Sequence, residues 1–246
     1  MAWSPLHPGV HGRNTFIGLL ANVRHSNDPE CVRVRIWLAA GIILVLGTAC
    51  DPLTTTAGGP DQSTRPTGPG AAAASQQLGT LTVASWSTMT GYSRDKFKHW
   101  ISQGNGCDTR DVVLKVDGTA VQTSADCKII SGTWVSAYDG KTLTDPQDMD
   151  IDHMVPLANA WRTGASSWTD DQRSAFANDL TRPQLLAVSL SSNRSKGDQD
   201  PSQWKPPNTS YWCEYAQRWV TVKAYWKLSV TTAEKAALTA MLGTCV

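Results

Sequence analysis

Asp150-Ile151-Asp152-His153-Met154-Val155-Pro156-Leu157 is the stretch that decides how this 246-residue chain is read. From Met149 to Met154, acids alternate with apolar residues, the pattern of a strand whose side chains point to opposite faces in turn. Pro156 ends that strand, because proline offers no N–H to a ladder and suits a first helical turn. A short helix to Trp161 should follow, with Leu157 and Ala160 on one face. Thr169 and Gln172 form a capping box, so a second helix should run from Asp170 to Asn178. Leu185 to Ser189 (LLAVS) reads as a buried strand, and Ser192 as the cap of a helix starting at Asn193 or Arg194. The centre of the chain is thus a strand–strand–helix unit within an α+β domain.

Working outward, Ser93 to Gln103 predicts a helix on the spacing of Phe97, Trp100 and Ile101, capped by Ser93 and ended by Gly104-Asn105-Gly106. The periodicity of Asp111 to Val116 does not separate strand from helix. Ile129-Ile130 and Thr133 to Tyr138 read as strands, with a tight turn at Asp139-Gly140. Trp212, Tyr215, Trp219, Val222 and Trp226 recur at helical steps, so a long amphipathic helix carries them. A last helix, opened by the Thr231 and Glu234 capping box, should reach Leu242.

The first eighty residues differ in kind. Ile36 to Cys50 (IWLAAGIILVLGTAC) is an apolar run behind Arg33 and Arg35. Its fifteen residues fall short of the about 20 that a membrane span needs, but they suit the core of an export signal. Cys50 resembles the lipidated cysteine of a bacterial lipoprotein, with Gly47 where such signals usually carry Leu. Lipid anchoring and ordinary cleavage both stand, and Val32 or Val34 is a candidate start. The division read here is 1–50 as extension and export signal, 51–79 as a disordered Thr/Gly/Pro/Ala-rich tether and 80–246 as one domain.

From residue 76 onward, 17 Lys+Arg balance 17 Asp+Glu. A chain that clings to nucleic acid non-specifically is usually basic, so binding here should be weak, local and salt-sensitive. Cys107, Cys127, Cys213 and Cys245 contain no C-x-x-C pair, which argues against structural zinc. Two disulfides are the reading for an exported domain; of three possible pairings, Cys107–Cys127 and Cys213–Cys245 join sequence neighbours and are preferred.

Hydrolysis of a phosphodiester needs a deprotonated water and a cation to take up developing charge. His153 suits proton acceptance and Asp152 offers a hard oxygen ligand. The two flank one phosphate only where the strand ends. Asn193, forty residues on, supplies an amide oxygen, and Lys196 one turn later is placed to face the same phosphate. Arg110 either reaches a phosphate or pairs with Asp108 or Asp111, while Arg194 and Lys205 extend a shallow phosphate track. Asp148 and Asp150 share Asp152's face as a solvated edge, a ligand-orienting group or a second ion site. His99 reads as a surface or part-buried histidine. Trp212, Trp219 and Trp226 read as core, while Trp134, Trp161, Trp168 and Trp204 follow no pattern and leave a stacking role open.

Asp150 to Leu157, then Gln184-Leu185-Leu186-Ala187-Val188, then Asn193-Arg194-Ser195-Lys196-Gly197-Asp198 resembles an HNH endonuclease of the ββα-metal (His-Me finger) fold. More loosely, Tyr92 through Cys107-Asp108-Thr109-Arg110 to Cys245 is similar to exported bacterial HNH proteins and the C-terminus of GmrSD-type restriction enzymes. The resemblance implies His153 as general base and Asp152 and Asn193 as ligands of one divalent cation, Mg²⁺ or Mn²⁺. Gln184 stands where the middle Asn of the pattern bonds backbone to fix the loop carrying the base. A DNA-cleaving monomer of low sequence specificity follows, secreted or held on a bacterial surface through Cys50, with RNA left open as substrate. Two alternatives remain: a catalytically silent wall- or glycan-binding protein on the same fold, and a nuclease toxin aimed at rival cells.

Overall fold

A computed structural model describes residues 68–245. The export signal, Cys50, the candidate starts at Val32 and Val34, and tether residues 51–67 lie outside the described residues.

In chain order, helix α1 (Ala71–Thr80) precedes a hairpin of β1 (Ser102–Gly104) and β2 (Cys107–Asp108), then α2 (Thr109–Asp117). Strands β3 (Thr119–Thr123), β4 (Ile129–Val135) and β5 (Thr142–Leu143) form an antiparallel sheet in the order β3-β4-β5. Next come β6 (Met149–His153), α3 (Leu157–Thr163), α4 (Asp170–Ala177), β7 (Leu185–Ser189), α5 (Leu190–Lys196), α6 (Trp212–Tyr225) and α7 (Thr232–Leu242).

The β6–β7 pair organises the domain. It is antiparallel and unbroken, from Met149 opposite Ser189 to His153 opposite Leu185. One face packs Met149, Ile151, Leu185 and Ala187 on Val113, Leu114 and Trp134 of α2 and β4. On the other face Leu186 and Val188 join the larger core built by the helices, which holds Trp161, Phe176, Tyr215 and Trp219. Covered on both sides, β7 is apolar from Leu185 to Val188, as a doubly buried strand must be. β7 runs directly into α5, so the unit is strand–strand–helix in space as well as in sequence.

Both expected disulfides are present, Cys107–Cys127 and Cys213–Cys245. The first ties β2 to the segment before β4, and the second staples the start of α6 to the end of α7. The capping boxes at Thr169 and Thr231 form as read, and a third, Asp108 with Asp111, settles the undecided segment as α2.

Three expectations need correction. The tether reading fails over 71–79, because α1 buries Ala74 and Leu78, four residues apart, in the main core; low overall hydropathy hid one narrow apolar stripe. The helix over 93–103 shrinks to a single 3₁₀ turn at Arg94–Lys96. There the His99 Nδ1 donates to the Phe97 carbonyl at 2.7 Å, and Trp100 takes φ +56°, which no helix continues. The aromatic spacing reflects a packed cluster rather than a helical face. Finally, α5 begins at Leu190, three residues early, with Ser189 as its cap. The hydroxyl of Ser192, the expected cap, donates instead to Asp139 at 3.0 Å, as does that of Ser189 at 2.7 Å. That carboxylate stands in the β4–β5 turn; burial opposes its ionisation, but the bonds from Ser189, Ser136 and Ser192 outweigh it and bring it to about 2.

Candidate active site

His153 is the last residue of β6, and a cavity opens where the strand ends. His153, Asp152, Asn193, Arg94, Tyr92 and Asp198 all line a cavity of about 210 Å³. The imidazole is 4% exposed. Its Nε2 lies 3.0 Å from the Ala177 carbonyl oxygen. A carbonyl only accepts, so Nε2 carries the proton and Nδ1 keeps its lone pair. The Trp100 ring stacks on the imidazole at 5.5 Å and 20°. Trp100 holds that position from the left-handed region, a conformation costing roughly 1–3 kcal/mol for such a residue. Burial pushes His153 down from the ordinary 6.5 to about 3, the Ala177 bond opposes this, and the charge on Arg94 adds to it. The ring is therefore neutral at physiological pH, and an anion entering the cavity would raise its basicity.

Asp152 points to the opposite side of the strand. Its carboxylate accepts from Lys196 Nζ at 2.9 and 2.7 Å and from the Tyr138 hydroxyl at 2.5 Å. Lys196 is wholly buried and also donates to the His153 and Met154 carbonyls at 2.8 and 3.1 Å. Burial raises the Asp152 carboxyl and lowers the Lys196 ammonium, and their contact opposes both shifts. The expectation that Lys196 faces a phosphate is thereby corrected: its ammonium is spent on four oxygens and ties α5 to the end of β6. Gln184 holds the same turn from the other side. Its Oε1 accepts from Val155 N at 3.1 Å, its Nε2 donates to Val155 O at 3.0 Å, and its backbone oxygen accepts from Met154 N at 2.7 Å.

Asn193 Nδ2 donates to Asp150 at 3.1 Å. Its Oδ1 has no hydrogen-bond partner among the described residues, so Asp150 orients the amide with the oxygen unspent. Neither proposed phosphate-binding arginine lies in this cavity. Arg110 donates to the Pro146 and Met149 carbonyls at 2.9 Å, which fixes the entry to β6 rather than pairing with Asp108 or Asp111. Arg194 is exposed and lines a separate groove with Lys141 and Asp148. Lys205 lies over the Trp212 ring at 5.1 Å.

Sequence reasoning missed Tyr138, Trp100, Arg94 and Tyr92 as neighbours of the site. Tyr138 read only as the end of a strand, Arg94 and Trp100 fell in a segment whose aromatic spacing predicted a helix that does not form, and Tyr92 stands just before it. The unpatterned tryptophans turn out to be packing groups: Trp134 and Trp161 are buried, and Trp168 and Trp204 lie against the core.

Residues 110–241 match the family described as GmrSD restriction endonucleases, C-terminal domain. This chain belongs to that family. The GmrSD C-terminal match spans the whole β6–β7–α5 unit, while Tyr92 and Arg94 of the cavity lie before its first residue. A protein of the fungus Arthroderma benhamiae, described as an uncharacterized secreted protein, is 54% identical over 182 residues, covering 74% of this chain and 89% of its own. Secretion of that relative agrees with the export signal read here. Its fungal source means that the likeness to bacterial HNH proteins does not restrict the origin of this GmrSD-type chain. No solved structure matches it.

Proposed function

We propose that this protein is an exported, metal-dependent endonuclease of the HNH type, with β6, β7 and α5 as its ββα-metal core and DNA as substrate. The observation that carries this reading is the state of His153. It is a neutral imidazole with its Nε2–H committed to Ala177 and its Nδ1 lone pair unspent, in the wall of a cavity shared with Asp152 and Asn193. In the reaction, Nδ1 takes a proton from water as the water oxygen attacks phosphorus, and the P–O3′ bond breaks in line. The 3′-oxygen leaves with a proton from solvent as a 3′-hydroxyl, and the fragment downstream of the cut keeps the phosphate on its 5′-oxygen.

The donor set suits one hard cation, Mg²⁺ or Mn²⁺. Asp152 and Asn193 would supply two protein oxygens, with water completing the shell, as magnesium accepts; among the described residues no group of three His, Cys, Asp or Glu side chains is arranged to hold a metal. Asp152 Oδ1 accepts one bond and keeps a lone pair, and Asn193 Oδ1 is unspent. When bound, such a cation supplies charge neutralisation for the phosphate and the leaving oxygen. Lys196 already neutralises Asp152, so the affinity without substrate should be low.

The glycan-binding alternative drew on the neutral charge, Gln184 and the unpatterned tryptophans; the tryptophans pack against the core, and Gln184 makes two bonds to the Val155 backbone. Plasmid nicking by the oxidised protein, with Mg²⁺, Mn²⁺ or EDTA, tests the nuclease reading beside His153→Ala. Metal-dependent nicking that the variant loses is expected. A folded protein that cuts under no divalent ion would overturn the reading.

A further inference from the structure

With Lys196 enclosed and Arg110 and Arg194 elsewhere, the cavity still needs a cation to hold an anionic substrate. Among the described residues, Arg94 is the one lysine or arginine lining it. Its side chain is exposed, and among the described residues its guanidinium has neither an ion pair nor a hydrogen bond. The other arginine at the rim, Arg162, is already committed: it pairs with Asp198 and stacks on Trp86 at 4.4 Å.

Arg94 is also held firmly at its base. Ser93 Oγ caps the 3₁₀ turn by accepting from Asp95 N at 3.2 Å, and Phe97 N donates to the Arg94 carbonyl at 3.0 Å. Phe97 is fully buried, edge-on to Trp161 and Phe176. An anchored backbone with an unspent guanidinium is the arrangement that recognises a phosphate, because the planar fork can hold two oxygens at once. Tyr92, two residues back, lines the same cavity as Arg94 and Asp198.

We propose that Arg94 is the substrate-binding cation of this site, gripping the non-bridging oxygens of the scissile phosphate in the cavity it shares with His153. The assignment rests on the nuclease reading and adds to it the group that neutralises the substrate. Because the guanidinium is unspent until substrate arrives, it acts on the reacting phosphate and contributes little to folding.

The test compares wild type, Arg94→Ala and Arg94→Lys in plasmid nicking at saturating Mg²⁺ or Mn²⁺, with guanidinium chloride added at millimolar levels. Arg94→Ala should lose about 100-fold in kcat/KM, the scale of removing one preorganised donor. Its thermal midpoint should stay at the wild-type value. Arg94→Lys should recover part of the loss, and free guanidinium should rescue Arg94→Ala more than Arg94→Lys. Unchanged kcat/KM in Arg94→Ala, beside an active wild type, overturns the assignment and leaves the nuclease reading standing. A loss that neither lysine nor guanidinium restores also overturns it, since the role would then be structural. If wild type itself does not cut, both fall together.

Discussion

On one face of β6 the His153 ring lies beneath Trp100 with a single hydrogen-bond partner, while on the other Asp152 and Lys196 are enclosed with Tyr138 and two backbone carbonyls. The residues are neighbours in the chain, and alternation along the strand sends them to different environments. The carboxylate and the ammonium are chemically the stronger groups, yet most of their valences are spent on holding the turn after His153. The imidazole keeps one lone pair unspent and opens on the cavity. What a side chain can contribute therefore depends on what its surroundings have left free, and here the imidazole's face is the sparsely bonded one.

The sharpest way to break that comparison is His153→Ala. Nicking should fall about 1,000-fold, within the range for a general base, with an unchanged circular dichroism spectrum. Near-full activity in the variant would mean that the reactive face lies elsewhere.

Lys196→Met probes the other face. It strands a buried carboxylate, so urea unfolding should show a loss of about 3–5 kcal/mol. The double variant Lys196→Met with Asp152→Asn should regain part of that stability without regaining activity. A single variant as stable as wild type but inactive would restore Lys196 to the phosphate and contradict its clamping role.

Protonation separates the faces as well. Folded His153 binds its proton only near pH 3, whereas an unfolded histidine does so near 6.5. Between those values the unfolded chain holds more protons, so stability present above pH 6.5 is lost as pH falls towards 3. In metal-free protein this contributes at most about 1.4 kcal/mol per pH unit. Subtracting the His153→Ala curve from the wild-type curve should isolate that slope, and a flat difference would mean the ring protonates freely in the fold.

Gln184→Ala should have the smallest effect. It removes two bonds to the Val155 backbone, a cost of about 1–3 kcal/mol, and should lower activity by loosening the turn that carries the base. Equal stability in denaturation would show that Lys196 alone holds that turn.

Much of this followed from local chemistry. The ends of β6, α4, β7, α6 and α7 were readable because proline, capping boxes and apolar runs act within a few residues of themselves. His153, Asp152, Asn193 and Gln184 were readable because their spacing carries a family pattern, and all four meet at the end of β6. The segment from Tyr92 to Trp100 was not readable as structure, since its shape comes from Phe97 sinking into a core made by α3 and α4, far along the chain. That segment brings Trp100 over the His153 ring and Arg94 to the cavity.

The sequence by itself determined which groups are available: an imidazole at a strand end, a carboxylate beside it, an amide and a lysine one helical turn apart. Only the tertiary structure decided how each is used. Burial and hydrogen-bond geometry depend on partners tens of residues distant. Tyr138 and Lys196 take up most of Asp152, that carboxylate and two backbone carbonyls occupy Lys196, Ala177 sets the tautomer of His153, and Arg94 is left with its charge unmatched among the described residues.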